Sequence, residues 1–327
     1  AASDGRSLLL EHEVYALLAT AGLGVPAHRV VTGADAVDAA LCGALGSEGV
    51  VVKVVSPDIL HKSDVGGVVL CDNTPPAVRA AVAQVLAASR RAMPQADVRG
   101  ALVAERVRYR TGFGREILGS FRHDPAFGPI VVVGVGGLDT EYLLGSLLPE
   151  RAKAIRTASG LDRKGALAML RGTAVHAALC GNLRSARGEG IEEEVLVQLV
   201  LGLATLADQL GGFTPPGGLG LSELEVNPFV ARVNGGLVAL DGLARLHRPA
   251  PLAAPRPVER LRHLLTPQSA VVIGASAESM NSGRIILRNL VQGGGVPRDS
   301  IWSVHPRAEE FDGCRAFRTT AELPKPA

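Results

Sequence analysis

The sequence predicts an α/β protein with more than one domain. Three observations carry that expectation. Short runs of β-branched residues alternate with segments of helical period, and Gly and Pro punctuate the joins. The composition is 47% hydrophobic but only 3% aromatic, which suits a soluble α/β chain and not a disordered or fibrous one. At 327 residues the chain has room for several cores. Net charge is +2 with no basic block, which argues against a nucleic-acid partner. No run reaches the ~18 apolar residues of a membrane span, and Asp4, Arg6, Glu11 and Glu13 interrupt any signal peptide. Cys42, Cys71, Cys180 and Cys314 are scattered without a CxxC pair, so neither a zinc site nor a disulfide framework is expected. A reducing cytoplasm is the simplest setting.

Leu10, Val14, Leu17 and Leu18 set a helical spacing over 7–21, closed by Gly22 and Gly24-Val25-Pro26. A strand at 28–32, a helix at 34–45 and a strand at 50–55 follow, then a strand at Val68–Leu70. "TPPAVRAAVAQVLAASRRAM" is a helix with Pro75 and Pro76 in its first turn. "ALVAERV", "REILGSFRH" and "GPIVVVGVGG" read as three strands, and 149–158, 162–171 and 191–210 as helices. "LSELEVNPFVARVNGGLVALDGLARL" reads as a hairpin turning at Asn234-Gly235. Residues 247–265 form a linker, proline-rich in "HRPAPLAAPRPVER". The expected organisation is one domain over 1–246, with halves near 1–100 and 101–246, then the linker, then an incomplete domain over 266–327. That last part reads as a strand, a glycine turn, a helix and the second strand "SIWSVHP", where the unit ends.

Two places carry chemistry. Lys53 interrupts an otherwise buried strand, and a buried ammonium needs an anion, either a carboxylate or a ligand. After it, "SPDILHKSDVGG" is a polar loop closed by Gly66-Gly67, where the backbone approaches another group closely. In the hairpin, a turn at 233–235 sets Asn227 opposite Asp241, and Glu225 shares the face of Asn227 unless Pro228 adds a bulge. These are hard oxygen ligands of the kind that hold Mg²⁺ on phosphates. The plainer alternative is a strand end at Asn227-Pro228 and a turn at Asp241-Gly242.

"KVVSPDILHKSDVGGV", "GREILGSFRHDPAFGPIVVVGVGG" and "LEVNPFV…VALDG" together resemble the ATP-grasp domain of NDP-forming acyl-CoA synthetases, relatives of succinyl-CoA synthetase. The resemblance covers about 7–246 and implies an α+β ATP-grasp fold that binds ATP or ADP with Mg²⁺. It implies that Lys53 meets nucleotide phosphates and that Glu105 and Val107 meet the adenine or its linker strand, with Glu116 and Glu141, on strand ends near the phosphate side, as further candidates. Asn227 and Asp241 match Mg²⁺ ligands. His61 matches a loop histidine that carries a phosphoryl group between sites, and Glu225 a carboxylate that meets the phosphohistidine. Lys62 and Asp64 stand beside His61, either orienting it or only keeping the loop wet.

The tail "TPQSAVVIGAS…SGRIILRNL" is similar to the start of that family's Rossmann-like CoA-binding domain. Its strand–Gly–helix turn offers the Gly274, Ala275 and Ser276 backbone to a phosphate, with Arg284 at the helix start facing an anionic CoA tail. The resemblance thus implies the nucleotide-binding part of an ADP-forming acyl-CoA synthetase. CoA and a small carboxylate are its co-substrates, a CoA-ligase domain or subunit its partner, and a homo- or hetero-oligomer its assembly. Two departures count against a complete enzyme, and the first favours a second reading, a non-catalytic nucleotide- or CoA-sensing module, which the intact Lys53, His61, Asn227 and Asp241 oppose. The segment "LDTEYLLGSLLPE" is apolar where the family carries polar residues, and the CoA-ligase domain is not in this sequence. A carboxylate–amine ligase of the ATP-grasp type is a third, disfavoured by the CoA-type tail.

Overall fold

The computed structural model describes residues 1–46, 49–183, 190–212, 218–233, 235–248 and 258–324. Asn234 of the expected turn, and residues 249–257 of the expected linker, lie outside the described residues. The chain divides into two compact units, Ala1–Pro251 and Leu252–Ala327.

The first unit opens with β1 (Leu8–Leu9), α1 (Glu11–Thr20), β2 (His28–Val31), α2 (Ala39–Gly43), β3 (Val50–Val55), β4 (Val68–Cys71), α3 (Pro75–Ala92) and β5 (Gly100–Glu105). An antiparallel sheet orders four of these as β2-β5-β3-β4. The two-residue period of β3 divides its side chains between two destinations. Val50, Val52 and Val54 pack with Val78, Val82 and Val85 of α3. Val55, and Leu102 opposite Lys53 on β5, join the core of a second, larger sheet. Lys53 is therefore carried on the face turned toward that sheet. The helix expected over 34–45 is broken: a 3₁₀ turn covers Ala34–Ala36, and α2 starts afresh where the Asp38 carboxylate accepts from the Leu41 N–H at 2.8 Å.

The larger half contains β6 (Glu116–Asp124), β7 (Gly128–Val135), α4 (Thr140–Ser146), α5 (Pro149–Ala152), β8 (Lys153–Thr157), α6 (Arg163–Leu170), α7 (Ala174–Leu179) and α8 (Glu193–Leu210). It ends with β9 (Gly220–Ala231), β10 (Leu237–Ala239) and β11 (Leu243–His247). The sheet runs β1-β11-β9-β6-β7-β8, with β10 also paired to β9. Ile117, Phe121, Val131 and Val133 share a core with the apolar stripe of α8, including Leu196, Val200 and Leu203. One expected helix is corrected: of 149–158, only α5 is helical, and β8 pairs antiparallel with β7 from Gly134↔Lys153 to Ile130↔Thr157. A five-residue helix extension gains little by itself, whereas the open edge of β7 offers every second residue a ladder.

The hairpin keeps the expected register on both sides of its midpoint. Leu237↔Ala231 to Ala239↔Phe229 and Leu243↔Glu225 to Arg245↔Glu223 are partners, which leaves Asn227 facing Asp241. An irregularity does fall near Pro228, on the other edge of β9, where the pairing with β6 shifts between Ile117↔Phe229 and Gly119↔Val226.

The second unit holds α9 (Val258–Leu265), β12 (Ala270–Ile273), α10 (Ser282–Gly293), β13 (Ile301–Val304), β14 (Glu310–Phe311) and β15 (Cys314–Phe317). Two expectations are corrected here. Part of the expected linker is the helix α9, and the unit does not stop at its second strand: β15 adds a third, parallel to β13, with β14 turned back on it. Val272, Leu287, Ile301 and Cys314 form its core.

Candidate functional site

The break between β10 and β11 builds the site. Leu240, Asp241 and Gly242 fall between the two short strands and outside the ladder. The Leu240 carbonyl is thereby free to accept from Lys53 Nζ at 2.5 Å and from the Tyr15 hydroxyl at 3.0 Å. Helix α1 crosses close by: a Cβ on Gly242 would lie 2.7 Å from Cγ1 of Val14, so any side chain here would force Val14 to shift. That crossing delivers Glu11 to the gap. Its carboxylate is 2.6 Å from Lys53 Nζ and 2.6 Å from the Tyr15 hydroxyl, both on Oε1, and Lys62 Nζ lies 3.0 Å from Oε2. Lys62 also reaches Asp241 Oδ1 at 2.9 Å, an oxygen that accepts from the Gly242 N–H as well.

The cluster sets its own charge state. Full burial would raise the Glu11 carboxyl, but the ammonium groups of Lys53 and Lys62 outweigh it and hold the group at about 2. Burial would lower Lys62, and Glu11 and Asp241 reverse that, keeping it charged. Burial, then the Glu11 charge, raises Asp241 against the pull of Lys62 and Lys53. Burial and the Glu11 charge likewise raise the Tyr15 hydroxyl, so it stays a donor.

Beside this cluster a pocket of about 110 Å³ is lined by Glu11, Ile59, Lys62, Glu225, Asn227 and Asp241, among others. The three hairpin residues expected to hold Mg²⁺ or meet a phosphohistidine thus share one cavity. Burial and the neighbouring Glu223 raise the Glu225 carboxyl. Among the described residues no group of three His, Cys, Asp or Glu converges as a metal cluster. Two carboxylates and an amide oxygen nevertheless fit Mg²⁺, which takes few protein ligands and completes its shell with water and phosphate.

Asn227 is aimed by a second network. Its Oδ1 accepts from the Gly137 N–H at 2.7 Å, and its Nδ2 donates to Thr140 Oγ1 at 3.4 Å. Gly137 has φ +95°, and any Cβ there would collide with the Glu116 carboxylate. Glu116 accepts from the Tyr109 hydroxyl at 2.8 Å, which together with burial pushes that phenol up to about 12.

The other expected residues fall as follows. Lys53 has its anion inside the fold, because α1 brings Glu11 to it; the nucleotide is not needed to account for its charge. Glu105 is paired with Arg232, and Val107 packs with Val230 and Val238. Glu141 is exposed on α4. His61 is exposed, one residue before Lys62, and does not line the pocket. In the second unit Gly274 has φ +88°, and the Asn281 side chain bridges the loop, accepting from the Ser276 and Arg284 N–H groups and donating to the Gly274 carbonyl. Ala275 is buried. The Arg284 guanidinium is held by Asp312 at 2.6 Å and by the Ser276 carbonyl at 3.1 Å, so it serves the fold of this unit.

Glu11, Tyr15 and Thr140 were not singled out from sequence. One signal pointed to Glu11: it stands on the buried stripe of α1 with Val14, Tyr15 and Leu18, where a carboxylate is out of place unless paired.

Comparison with known proteins identifies the family. The profile of the ATP-grasp domain matches residues 1–246, and that of a CoA binding domain matches residues 268–327. Subunit beta of acetate–CoA ligase [ADP-forming] I from Pyrococcus furiosus is 30% identical over 224 residues, spanning 68% of this chain and 85% of that one. Subunit beta of the II enzyme from the same organism is 29% identical over 246 residues, 73% of this chain and 92% of its own. Among solved structures, a Ca. Korarchaeum cryptofilum acetyl-coenzyme A synthetase 1, in complex with coenzyme A, Ca-AMPCP and HgCl+, superposes with a TM-score of 0.61 at 26% identity, covering 76% of this chain and 96% of the other. This chain belongs to the ATP-grasp family of ADP-forming acyl-CoA synthetases, an ATP-grasp domain followed by a CoA-binding domain.

Proposed function

We infer that this chain is the nucleotide-binding part of an ADP-forming acyl-CoA synthetase, which interconverts acyl-CoA, ADP and phosphate with carboxylate, ATP and CoA. The observation that carries the reading is the pocket that gathers Glu225, Asn227 and Asp241 beside Lys62, the residue next to His61. The relatives matched are ligases, which favours catalysis over the sensing role.

On this reading His61 is the nucleophile. An imidazole nitrogen forms a bond to the γ-phosphorus, the bond from that phosphorus to the bridging oxygen breaks, and ADP leaves. Asn227 and Asp241, with Glu225 beside them, would hold Mg²⁺, which when bound offsets the negative charge of the phosphates. Gly137 and Thr140 orient the Asn227 amide for that task. Lys53 reaches a phosphate by exchanging its bond to Glu11. Glu225 then faces the phosphorylated imidazole. Gly274, Ala275 and Ser276 would present their loop to CoA, and the partner is a CoA-ligase domain or subunit that supplies the carboxylate site.

The test is phosphoryl transfer from γ-³²P-ATP. Acid-labile label on the wild-type chain, absent from His61→Ala, is the expected result. No label on the chain in the presence of Mg²⁺, CoA-ligase partner and acyl-CoA would support the sensor instead.

A further inference from the structure

Lys62 ties the histidine loop to the expected metal pocket by charge, while Ser56, Ile59 and Leu60 of the same loop line that pocket as well. It stands next to His61, and its ammonium bridges the buried Glu11 and the Asp241 carboxylate at 3.0 Å and 2.9 Å. Two residues before His61, Ile59 is buried in the core of the small sheet. The loop is therefore pinned on both sides of an exposed His61, by an apolar anchor and by an ion pair. Only the ion pair answers to charge.

The charges around that pair balance as they stand. Lys53 and Lys62 face Glu11 and Asp241, two cations against two carboxylates. A divalent cation held by Asp241 adds two positive charges next to the Lys62 ammonium, on the carboxylate that Lys62 uses. Like charges sharing one carboxylate repel, although water at the part-exposed Asp241 screens them in part. We propose that Lys62 is a positioning residue whose ammonium competes with the divalent cation for Asp241, so that metal binding releases the His61 loop and loop docking weakens metal binding. The inference rests on the metal reading of Asp241 given above, and the two are separable by experiment. Coupling of this kind is reciprocal: what the metal does to the loop, the loop does to the metal. After release Glu11 keeps its hydrogen bond from Tyr15, and its bond to Lys53 until a phosphate draws that ammonium away.

The test uses the full chain, Mn²⁺ as the probe ion and ADP in excess. Mn²⁺ uptake is followed by titration calorimetry, and hydrogen exchange is read on peptides spanning Ser56–Gly67. In the wild type, Mn²⁺ should speed exchange across that span. Lys62→Met should bind Mn²⁺ about tenfold more tightly, equivalent to losing about 1.4 kcal/mol of competition, and should exchange rapidly before metal is added. Lys62→Arg should return both readings toward wild type. A role confined to stability would lower the melting temperature without tightening Mn²⁺. If the wild type binds Mn²⁺, Asp241→Asn does not, and Lys62→Met matches wild type, the competition is refuted while the metal reading stands. Unaltered wild-type exchange on Mn²⁺ binding refutes it without any variant. If the wild type takes up no Mn²⁺ with ADP, the metal reading itself falls.

Discussion

Replacing Glu11 by Gln removes the charge that two buried ammonium groups share, at nearly constant shape. The structure sets the size of the effect. A carboxyl held at about 2 against its ordinary 4.5 contributes about 3 kcal/mol of stability, which matches the ~3–5 kcal/mol cost of breaking a buried pair from one side. Lys53 and Lys62 keep 13% and 15% of their side-chain surface exposed and rehydrate in part, so about 2–4 kcal/mol is expected. For a unit of this size that is a fall of roughly 5–15 °C in melting temperature. Because the folded group titrates below its unfolded value, its contribution is complete above pH 4.5 and fades as the pH falls toward 2. The gap between wild type and Glu11→Gln should therefore be full at pH 7 and close steadily below pH 4.5. Urea unfolding over that range measures it. The double variant with Lys62→Met should lose less than the two single losses combined, since the second change removes a charge that the first strands. A loss under about 1 kcal/mol at pH 7, or a gap that does not close on acidification, would refute the charge-cluster reasoning.

Further outcomes follow from the same geometry. Asp241→Asn should abolish Mn²⁺-dependent ADP binding in a calorimetric titration, and retained binding would make the hairpin structural only. Lys53→Ala should weaken ATP binding, by about 1.5–3 kcal/mol if a charge-assisted phosphate contact is lost, and should also lower the melting temperature because Glu11 loses a partner. His61→Ala should leave ATP affinity near wild type while abolishing label incorporation, and persistent label would place the nucleophile elsewhere. Gly137→Ala forces a side chain at φ +95° against the Glu116 carboxylate and should cost about 1–3 kcal/mol. It should also weaken Mn²⁺ binding by turning the Asn227 amide.

The sequence by itself determined a good part of this protein. The strand of Val50–Val55 with a lysine in it, and the facing of Asn227 and Asp241, depend only on the two-residue period and on counting across a hairpin. Both are local rules. Local rules failed where backbone partners were remote. Lys153–Thr157 has no strand signal of its own and became β8 because β7 had an open edge. Cys314–Phe317 became a third parallel strand because β13 offered one. The anion for Lys53 was the largest gap. The lysine called for an anion, yet its partner Glu11 lies 42 residues earlier, on a helix that packs closely against Gly242. Tertiary structure decided that pairing, since a charge is chosen by distance in space and by the water excluded around it, and neither is written in spacing along the chain.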